Sequence, residues 1–227
     1  MKNKVITKQE AVKLFKDGMT VMFGGFLAVG TSEVIVDAVL ESGAKGLTLI
    51  CNDGGFNSDP EKGKPAKGIA KLIEADGVVK KLIASHIGTN RNVKVKWDAK
   101  LLEVELVPQG TLAERIRAGG AGLGGVLTPT GLGTIVAEGK QVINVDGKDF
   151  LFEKPLKADV AVLRGSKVDT FGNVVYDRTA RNFNPIMALA ANVVIAGADE
   201  IVERGSLDPD IIVTPNVLVD YIVKEGK

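Results

Sequence analysis

Three absences narrow the chemistry open to this 227-residue chain. It has one cysteine, Cys51, and one histidine, His86, so it can form neither an internal disulfide nor a metal cluster of thiolates. Its 29 basic and 28 acidic residues nearly balance, which leaves no clustered positive field for a nucleic acid. No apolar run approaches the length of a membrane span, and residues 1–10 contain no signal-peptide core. We therefore expect a cytoplasmic protein that binds no metal, nucleic acid or membrane.

Two local features leave alternatives open. Cys51 follows an apolar strand, where a free cysteine usually packs as a small hydrophobe; as a nucleophile it would need His86 beside it. The segment 91–100 carries four basic residues. We interpret it as a solvated face or loop, and the alternative is a phosphate-binding patch.

Apolar runs alternate with helical periodicity along most of the chain. Strands are predicted over 19–23, 47–51, 78–85, 101–107, 160–164, 193–196 and 211–213. Helices are predicted after a capping box at Thr7 and Glu10, after Thr31, and over 66–75, 111–117, 182–191 and 217–223. This order predicts a single α/β domain over residues 1–227, with an open, mostly parallel sheet flanked by helices.

Two segments interrupt that alternation. Residues 142–153 are predicted to form a β-hairpin insertion, because Asp146-Gly147 separates two strand-like runs and favours a tight primed turn. Residues 57–67 are polar and rich in turn formers, which indicates an exposed, mobile insertion.

Glycine is the residue whose distribution is most informative. The stretch V-M-F-G-G-F-L-A-V-G (21–30) ends a buried strand on two glycines. Three loops, 24–30, 52–56 and 108–111, follow predicted strands, and ligands of open parallel sheets bind beyond such strand ends. Gly24 and Gly25 would let the backbone pass beneath a large ligand; the alternative is a tight turn with no ligand. The apolar, glycine-rich segment 119–133 is either part of a subunit interface or buried within the chain.

Familiar catalytic motifs are missing. The stretch 24–30 is not G-x-G-x-x-G, and the chain contains neither a P-loop nor G-x-S-x-G. No motif singles out a carboxylate as a nucleophile. The residues alone therefore predict a binding half without an obvious reactive group.

Several motifs together resemble the alpha subunits of family I CoA-transferases. The stretch D-G-M-T-V-M-F-G-G-F-L-A-V-G-T (17–31) resembles the family signature, with Ser32 where proline is usual; serine can cap the following helix instead. Further similar segments lie across nearly the whole chain, at 47–53, 81–90, 107–122, 127–134 and 181–185. The resemblance is nearest to the alpha subunits of acetate/butyrate–acetoacetate CoA-transferases, which are also described as 3-oxoacid CoA-transferases.

The resemblance implies a division of labour between two chains. A glutamate of the beta subunit would attack the acyl-CoA, form an anhydride and then a glutamyl-CoA thioester, and pass CoA to a free carboxylate. This chain would act only with that partner, in an α2β2 assembly, with CoA as substrate and no permanent cofactor. Glu33, Glu105 and Glu114 are accordingly interpreted as solvated or capping acids.

The resemblance also implies site residues. The CoA-binding loop would comprise Gly24, Gly25, Phe26, Leu27, Ala28, Val29 and Gly30. Gln109 would contact the substrate and donate to its developing oxyanion, or else only close the strand-end loop. Asn52 would bind substrate, or form an ordinary Asx turn. The alternatives are another substrate pair such as succinyl-CoA with a 3-oxoacid, a sugar-phosphate isomerase or ligand-sensing module, and a non-catalytic acyl-CoA-binding protein.

Overall fold

The computed structural model describes residues 3–226. Its strands are β1 (Val5–Ile6), β2 (Thr20–Phe23), β3 (Leu47–Cys51), β4 (Val79–Ala84), β5 (Glu103–Leu106), β6 (Val126–Thr128), β7 (Val142–Val145), β8 (Lys148–Glu153), β9 (Ala158–Asp169), β10 (Val174–Val175), β11 (Ala191–Val202) and β12 (Tyr221–Lys224). Its helices are α1 (Lys8–Val12), α2 (Glu33–Ser42), α3 (Ala70–Glu74), α4 (Arg91–Asp98), α5 (Gln109–Gly120) and α6 (Asn184–Met187).

The main sheet is parallel across its full width. Its strands follow the order β1-β12-β11-β9-β2-β3-β4-β5, and every neighbouring pair along this path is parallel. The short strand β10 pairs with β9 in the antiparallel sense. Because all the main strands run the same way, the loops at their carboxyl ends share one edge. The predicted fold class is confirmed.

Helices cover both faces of this sheet. Val21 and Phe23 of β2 pack into a core shared with α1, α2, α3 and α4, whereas Met22 packs into a second core with α5 and α6. A strand buried on both faces has no need of polar alternation, which is why β2 reads as a continuous apolar run. No helix within residues 3–226 is long and apolar enough to cross a membrane.

The predicted hairpin is confirmed. β7 and β8 pair antiparallel on either side of Asp146 and Gly147, whose φ angles of 51° and 79° are those of a primed turn. β6 adds a third strand to form a small separate sheet. The segment 121–149 that contains most of it is largely exposed. Of the glycine-rich segment 119–133, Gly119 is buried within the chain, whereas Leu123 and Leu127 are exposed, so burial does not explain these two leucines.

The predicted helix starts are confirmed at two positions. Thr7 and Glu10 form the reciprocal capping box of α1. Ser32 caps α2, accepting the Ile35 N–H, so serine does replace the proline usual at this position. α2 ends at Gly43 in the left-handed conformation.

Two predictions near the C-terminus are wrong. Residues 217–223 do not form a closing helix, because Tyr221–Lys224 is a strand inserted between β11 and β1. A short apolar run does not distinguish a helix from a buried strand by period, and here its pairing partners decide. Residues 211–213 are not a strand either; a 3₁₀ turn, Pro209–Ile211, leads into them.

Several other elements differ in extent or type from prediction. The helix predicted over 182–191 shrinks to α6, because Asn182 leaves helical geometry (φ 8°, ψ −117°) and Ala191 already begins β11. The basic segment 91–100 is mostly helix α4, which buries Val93. Lys94 and Lys100 are exposed, as the solvated-face interpretation expects, whereas Lys96 folds back to donate to the carbonyls of Glu74 and Ala75. Helix α5 begins at Gln109, two residues earlier than predicted.

Candidate functional site

The carboxyl ends of β2, β3, β4 and β5 surround one cleft of about 380 Å³, which we call the strand-end cleft. All three loops singled out in the sequence reach this edge of the sheet, and the loop after β4 joins them. The lining residues are Phe26, Leu27, Asn52, Asp53, Ser85, His86, Thr89 and Gln109. The sequence prediction of Phe26, Leu27, Asn52 and Gln109 at one site is therefore matched by their proximity, while the other four lining residues were missed.

The glycines of the 24–30 loop are required by the chain's own packing. A Cβ on Gly24 would lie 1.9 Å from Asn184 Oδ1, and one on Gly25 would lie 2.0 Å from Thr31 Oγ1. A Cβ on Gly30 would lie 2.7 Å from the Ala180 carbonyl oxygen. The void behind Gly24 and Gly25 measures about 10 Å³, room for roughly one water. No ligand therefore fits behind Gly24 and Gly25, whereas on the cleft side Phe26 is exposed.

A strained turn forms the tip of this loop. Leu27 and Ala28 both have positive φ angles, 50° and 64°, and Phe26 and Val29 exchange two backbone hydrogen bonds across them. Side chains other than glycine in this conformation cost about 1–3 kcal/mol each, and such strain persists where surrounding contacts determine it. The turn carries Phe26 and Leu27 into the cleft.

Asp53 makes several of the contacts that hold this turn. Its Oδ2 accepts the Leu27 N–H at 2.8 Å, and its Oδ1 accepts the Gly55 N–H at 2.8 Å. The Asn52 side-chain amide donates to the same carboxylate at 2.9 Å. Asp53 is buried and occupied by three donors, so it holds the loop and is not available as a nucleophile. In the sequence, the only indication of this role was the position of Asp53 in the Asn-Asp pair directly after β3.

A hydrogen-bond relay fixes Gln109. Because the Asp53 carboxylate can only accept, it orients the Asn52 amide with Oδ1 toward Gln109. Gln109 Nε2 donates to that Oδ1 at 2.5 Å. One N–H of Nε2 is thereby committed and the other is left for the cleft. Gln109 is also the first residue of α5, whose amino end adds positive potential there.

The loop after β4 contributes the remaining cleft residues. Ser85 Oγ donates to the Asn52 carbonyl at 2.7 Å, and Thr89 Oγ1 donates to the Gly55 carbonyl at 2.9 Å. His86 is exposed on the cleft. These residues belong to the S-H-I-G-T-N motif, in which no single position stood out chemically.

Cys51 is buried, and its thiol contacts the Asp53 carbonyl at 3.2 Å. Burial raises the pKa of the Cys51 thiol well above its ordinary value, and the Asp53 charge raises it further. The thiolate is therefore disfavoured, and the contact that Cys51 makes is with Asp53 rather than His86. This geometry favours the packing interpretation of the cysteine.

Two asparagines clamp the glycine loop from the opposite side. Asn182 Oδ1 accepts the Gly25 N–H at 3.0 Å, and its Nδ2 donates to the Val29 carbonyl at 2.9 Å. Asn184, fully buried, donates to the Gly30 carbonyl at 3.0 Å. The R-N-F-N-P segment thus acts as a brace for residues more than 150 positions away.

A buried carboxyl group, that of Glu225, lies against the start of α2. Ser32 Oγ donates to the Glu225 carboxylate, and the Val34 N–H donates to it at 3.3 Å. Burial raises the pKa of Glu225, and the Ser32 hydrogen bond opposes this only in part. The Ser32 side chain therefore links the start of α2 to the residue that follows the last strand, a contact that proline could not make.

The glutamates considered in the sequence lie outside the cleft lining. Glu33 pairs with Lys71, Glu105 with Arg115, and Glu114 with Arg117. Within residues 3–226, no group of three His, Cys, Asp or Glu side chains is placed to hold a metal ion. What the described cleft offers is amide, hydroxyl and imidazole groups, and its one carboxylate, Asp53, is fully engaged.

Comparison with known proteins identifies the family. A family described as coenzyme A transferase matches residues 5–225. The alpha subunit of the acetate CoA-transferase of Escherichia coli (strain K12) is 52% identical over 223 residues, which cover 98% of this chain and 97% of that protein. The acetoacetyl-CoA:acetate/butyrate CoA transferase alpha subunit of Clostridium acetobutylicum is 49% identical over 225 residues, 99% of each chain.

A solved structure shares the fold at much lower identity. An acyl-CoA transferase from Escherichia coli O157:H7, crystallised as a thioester complex with CoA, superposes with a TM-score of 0.85 at 21% identity. The match covers 97% of this chain and 49% of the other, so this chain spans about half of that longer protein.

Proposed function

The chain belongs to the coenzyme A transferase family, as a subunit of the alpha type, and from this premise we propose that it forms half of an active site completed by a separate beta subunit. The reaction we propose is reversible transfer of CoA between a short-chain acyl-CoA and a free carboxylate, acetoacetate with acetate or butyrate. The names of two relatives that match along their whole length support this substrate class. We also propose that the protein is cytoplasmic and assembles as α2β2. Residues 1–227 are proposed to form one domain.

The observation that carries the proposal is a cleft whose described lining offers hydrogen-bond donors but no free carboxylate. Asp53 is its one carboxylate and holds three N–H groups. An attacking carboxylate must therefore come from the partner. It adds to the thioester carbonyl and expels CoA thiolate, which then attacks the resulting anhydride to leave CoA on the partner's carboxylate and release the donor acid. The acceptor acid repeats these two exchanges in reverse.

This chain's residues bind and orient during those steps. The uncommitted N–H of Gln109 Nε2 donates to the oxyanion that forms when the thioester carbonyl is attacked. The 2.5 Å hydrogen bond from that amide to Asn52 Oδ1 holds it in position. The exposed ring of Phe26 packs against the apolar part of the pantetheine arm. Gly24, Gly25 and Gly30 have no side chains, which lets the loop pack closely against the chain behind it. Ala28 and Val29 complete this CoA-binding loop.

The partner is proposed to dock on the small sheet β6-β8-β7 and its flanking residues. Leu123, Leu127 and Ile135 are exposed there, Ile135 to 81%. A stable hetero-complex needs an apolar interface core, which these side chains supply. Replacing Ile135 and Leu127 by glutamate should abolish co-purification of the two proteins while the single chain stays folded by circular dichroism.

The test compares this chain by itself, its isolated beta partner and the mixture of the two. Only the mixture should transfer CoA. After incubation with acyl-CoA, hydroxylamine should inactivate the mixture, and borohydride should fix a reduced adduct on the partner when the peptides are read by mass spectrometry. Full transfer by this chain by itself, or an adduct on one of its own residues, would contradict the proposal.

A further inference from the structure

A second depression adjoins the strand-end cleft. It measures about 1150 Å³ and is lined by the polar insertion 57–67 together with Phe56, Thr89 and Arg91. Thr89 lines both depressions, so they meet at that residue. We call this depression the basic trough, because its lining carries four cations, Lys62, Lys64, Lys67 and Arg91, against two carboxylates.

Three of those four cations have no ion-pair partner among residues 3–226. Lys62 pairs with Asp59 at 3.0 Å. The side chains of Lys64, Lys67 and Arg91 make no ion pair or hydrogen bond within residues 3–226, and all three are exposed. A cluster of unpaired cations facing a shared depression attracts an anionic ligand.

The insertion has a defined shape. Asp59 and Lys64 exchange backbone hydrogen bonds of 2.8 and 2.9 Å, and the Lys67 N–H donates to the Phe56 carbonyl at 3.2 Å. Asn57 Oδ1 accepts the Arg91 N–H at the start of α4, at 3.1 Å. These contacts tie both ends of the insertion, so the cations are presented from a fixed frame, which lowers the entropy lost when a ligand binds.

We propose that the basic trough binds the phosphate groups of coenzyme A, at its 3′-phosphorylated nucleotide end, while the thiol end occupies the strand-end cleft. This inference rests on the proposed function. The coenzyme is a long molecule with a reactive thiol at one end and all its negative charge at the other, so two adjoining depressions of different character suit it. Lysine and arginine donors form charge-assisted hydrogen bonds to phosphate oxygens. The exposed ring of Phe56 lies in the same trough and offers a face to the adenine.

The test uses the assembled complex of the two proteins. The variant Lys64→Gln/Lys67→Gln removes two trough cations. The matched control Lys13→Gln/Lys16→Gln removes two exposed cations that precede β2, at the opposite edge of the sheet. In this trough variant, the loss of two exposed charge contacts should raise the KM for acyl-CoA by roughly 2- to 30-fold. The kcat and the KM of the carboxylate should stay unchanged. The control should behave like the wild type.

Titration of CoA and of dephospho-CoA, which lacks the 3′-phosphate, gives a readout independent of turnover. Wild type and control should prefer CoA, and the trough variant should lose that preference. Equal affinities in the wild type, or an unchanged KM in an active trough variant, would overturn the inference while leaving the proposed function standing. Competition by inorganic phosphate without any preference between the two coenzymes would assign the trough to a free anion, and also overturn it. A complex that shows the lysine-dependent preference but transfers no CoA would refute the proposed function alone.

Discussion

The tightest packing in the site, between Gly24 and Asn184, gives the sharpest prediction. In Gly24→Ala the new methyl would lie 1.9 Å from Asn184 Oδ1 and 2.4 Å from its Cγ. Asn184 cannot move away freely, because Oδ1 accepts the Arg164 N–H at 3.0 Å while Nδ2 donates to the carbonyls of Gly30 and Ala180 at 3.0 and 2.8 Å. Accommodating the methyl therefore strains the loop and also costs Asn184 at least one of these hydrogen bonds.

The magnitude follows from those two costs. Overpacking a close contact costs about 1–3 kcal/mol. Each buried group left without its hydrogen bond costs about 1–3 kcal/mol more. With one bond broken, the free energy of unfolding should fall by at least about 2 kcal/mol, which for a chain of this length lowers Tm by roughly 4–8 °C. CoA transfer by the complex should fall as well, since the same loop forms the cleft.

Denaturant unfolding of four variants separates this mechanism from a general sensitivity to alanine. Gly124→Ala is the matched control, because no heavy atom lies within 4 Å of its added methyl, and it should unfold like the wild type. Asn184→Ala removes the obstructing side chain, so the double variant Gly24→Ala/Asn184→Ala should be no less stable than Asn184→Ala alone. Additive losses in the double variant, or a wild-type midpoint for Gly24→Ala, would refute the reasoning.

Three further substitutions test single residues. Gln109→Ala should lower kcat of the assembled complex by about 10²–10³-fold with little change in the KM for acyl-CoA; an unchanged kcat would remove Gln109 from the reaction. Because burial raises the pKa of Glu225, this acid favours the folded state at low pH and loses that contribution as the pH rises through its raised pKa. The Tm of Glu225→Gln minus that of the wild type should therefore be higher at about pH 8 than at about pH 4, and the same Tm difference at both pH values would argue against this assignment. Burial alone would raise the pKa of Glu105, but hydrogen bonds from Arg115 and Lys81 outweigh it and lower that pKa, so the carboxylate stabilises the fold above its ordinary pKa and loses this as the pH falls. Urea titrations should then show Glu105→Gln less stable than the wild type at about pH 7 and nearly equal to it once the pH lies below the lowered pKa; a constant gap would contradict the assignment.

The family resemblance read from the sequence is confirmed by the comparisons, and the parallel α/β fold by the structure. Features determined by neighbouring residues were predicted correctly. The capping box of Thr7 and Glu10 and the primed turn at Asp146 and Gly147 depend on contacts within four residues, so their sequence patterns suffice. The buried run before Gly24 likewise predicted a strand with both faces covered.

Features that depend on distant partners were missed. The apolar run at 221–224 becomes a strand because β1 and β11 lie on either side of it, and nothing within the run itself encodes those partners. Asp53 becomes the anchor of the glycine loop only because parallel strands bring the ends of β2 and β3 together.

The sequence by itself determined the family, the parallel α/β class and the position of the loops after β2, β3 and β5, because those follow from local periodicity and from contiguous motifs. Only the tertiary structure decided why Gly24 must be glycine and which N–H of Gln109 stays uncommitted. Both depend on side chains, Asn184 and Asn52, that lie 160 and 57 positions away and meet their partners only through the packed sheet.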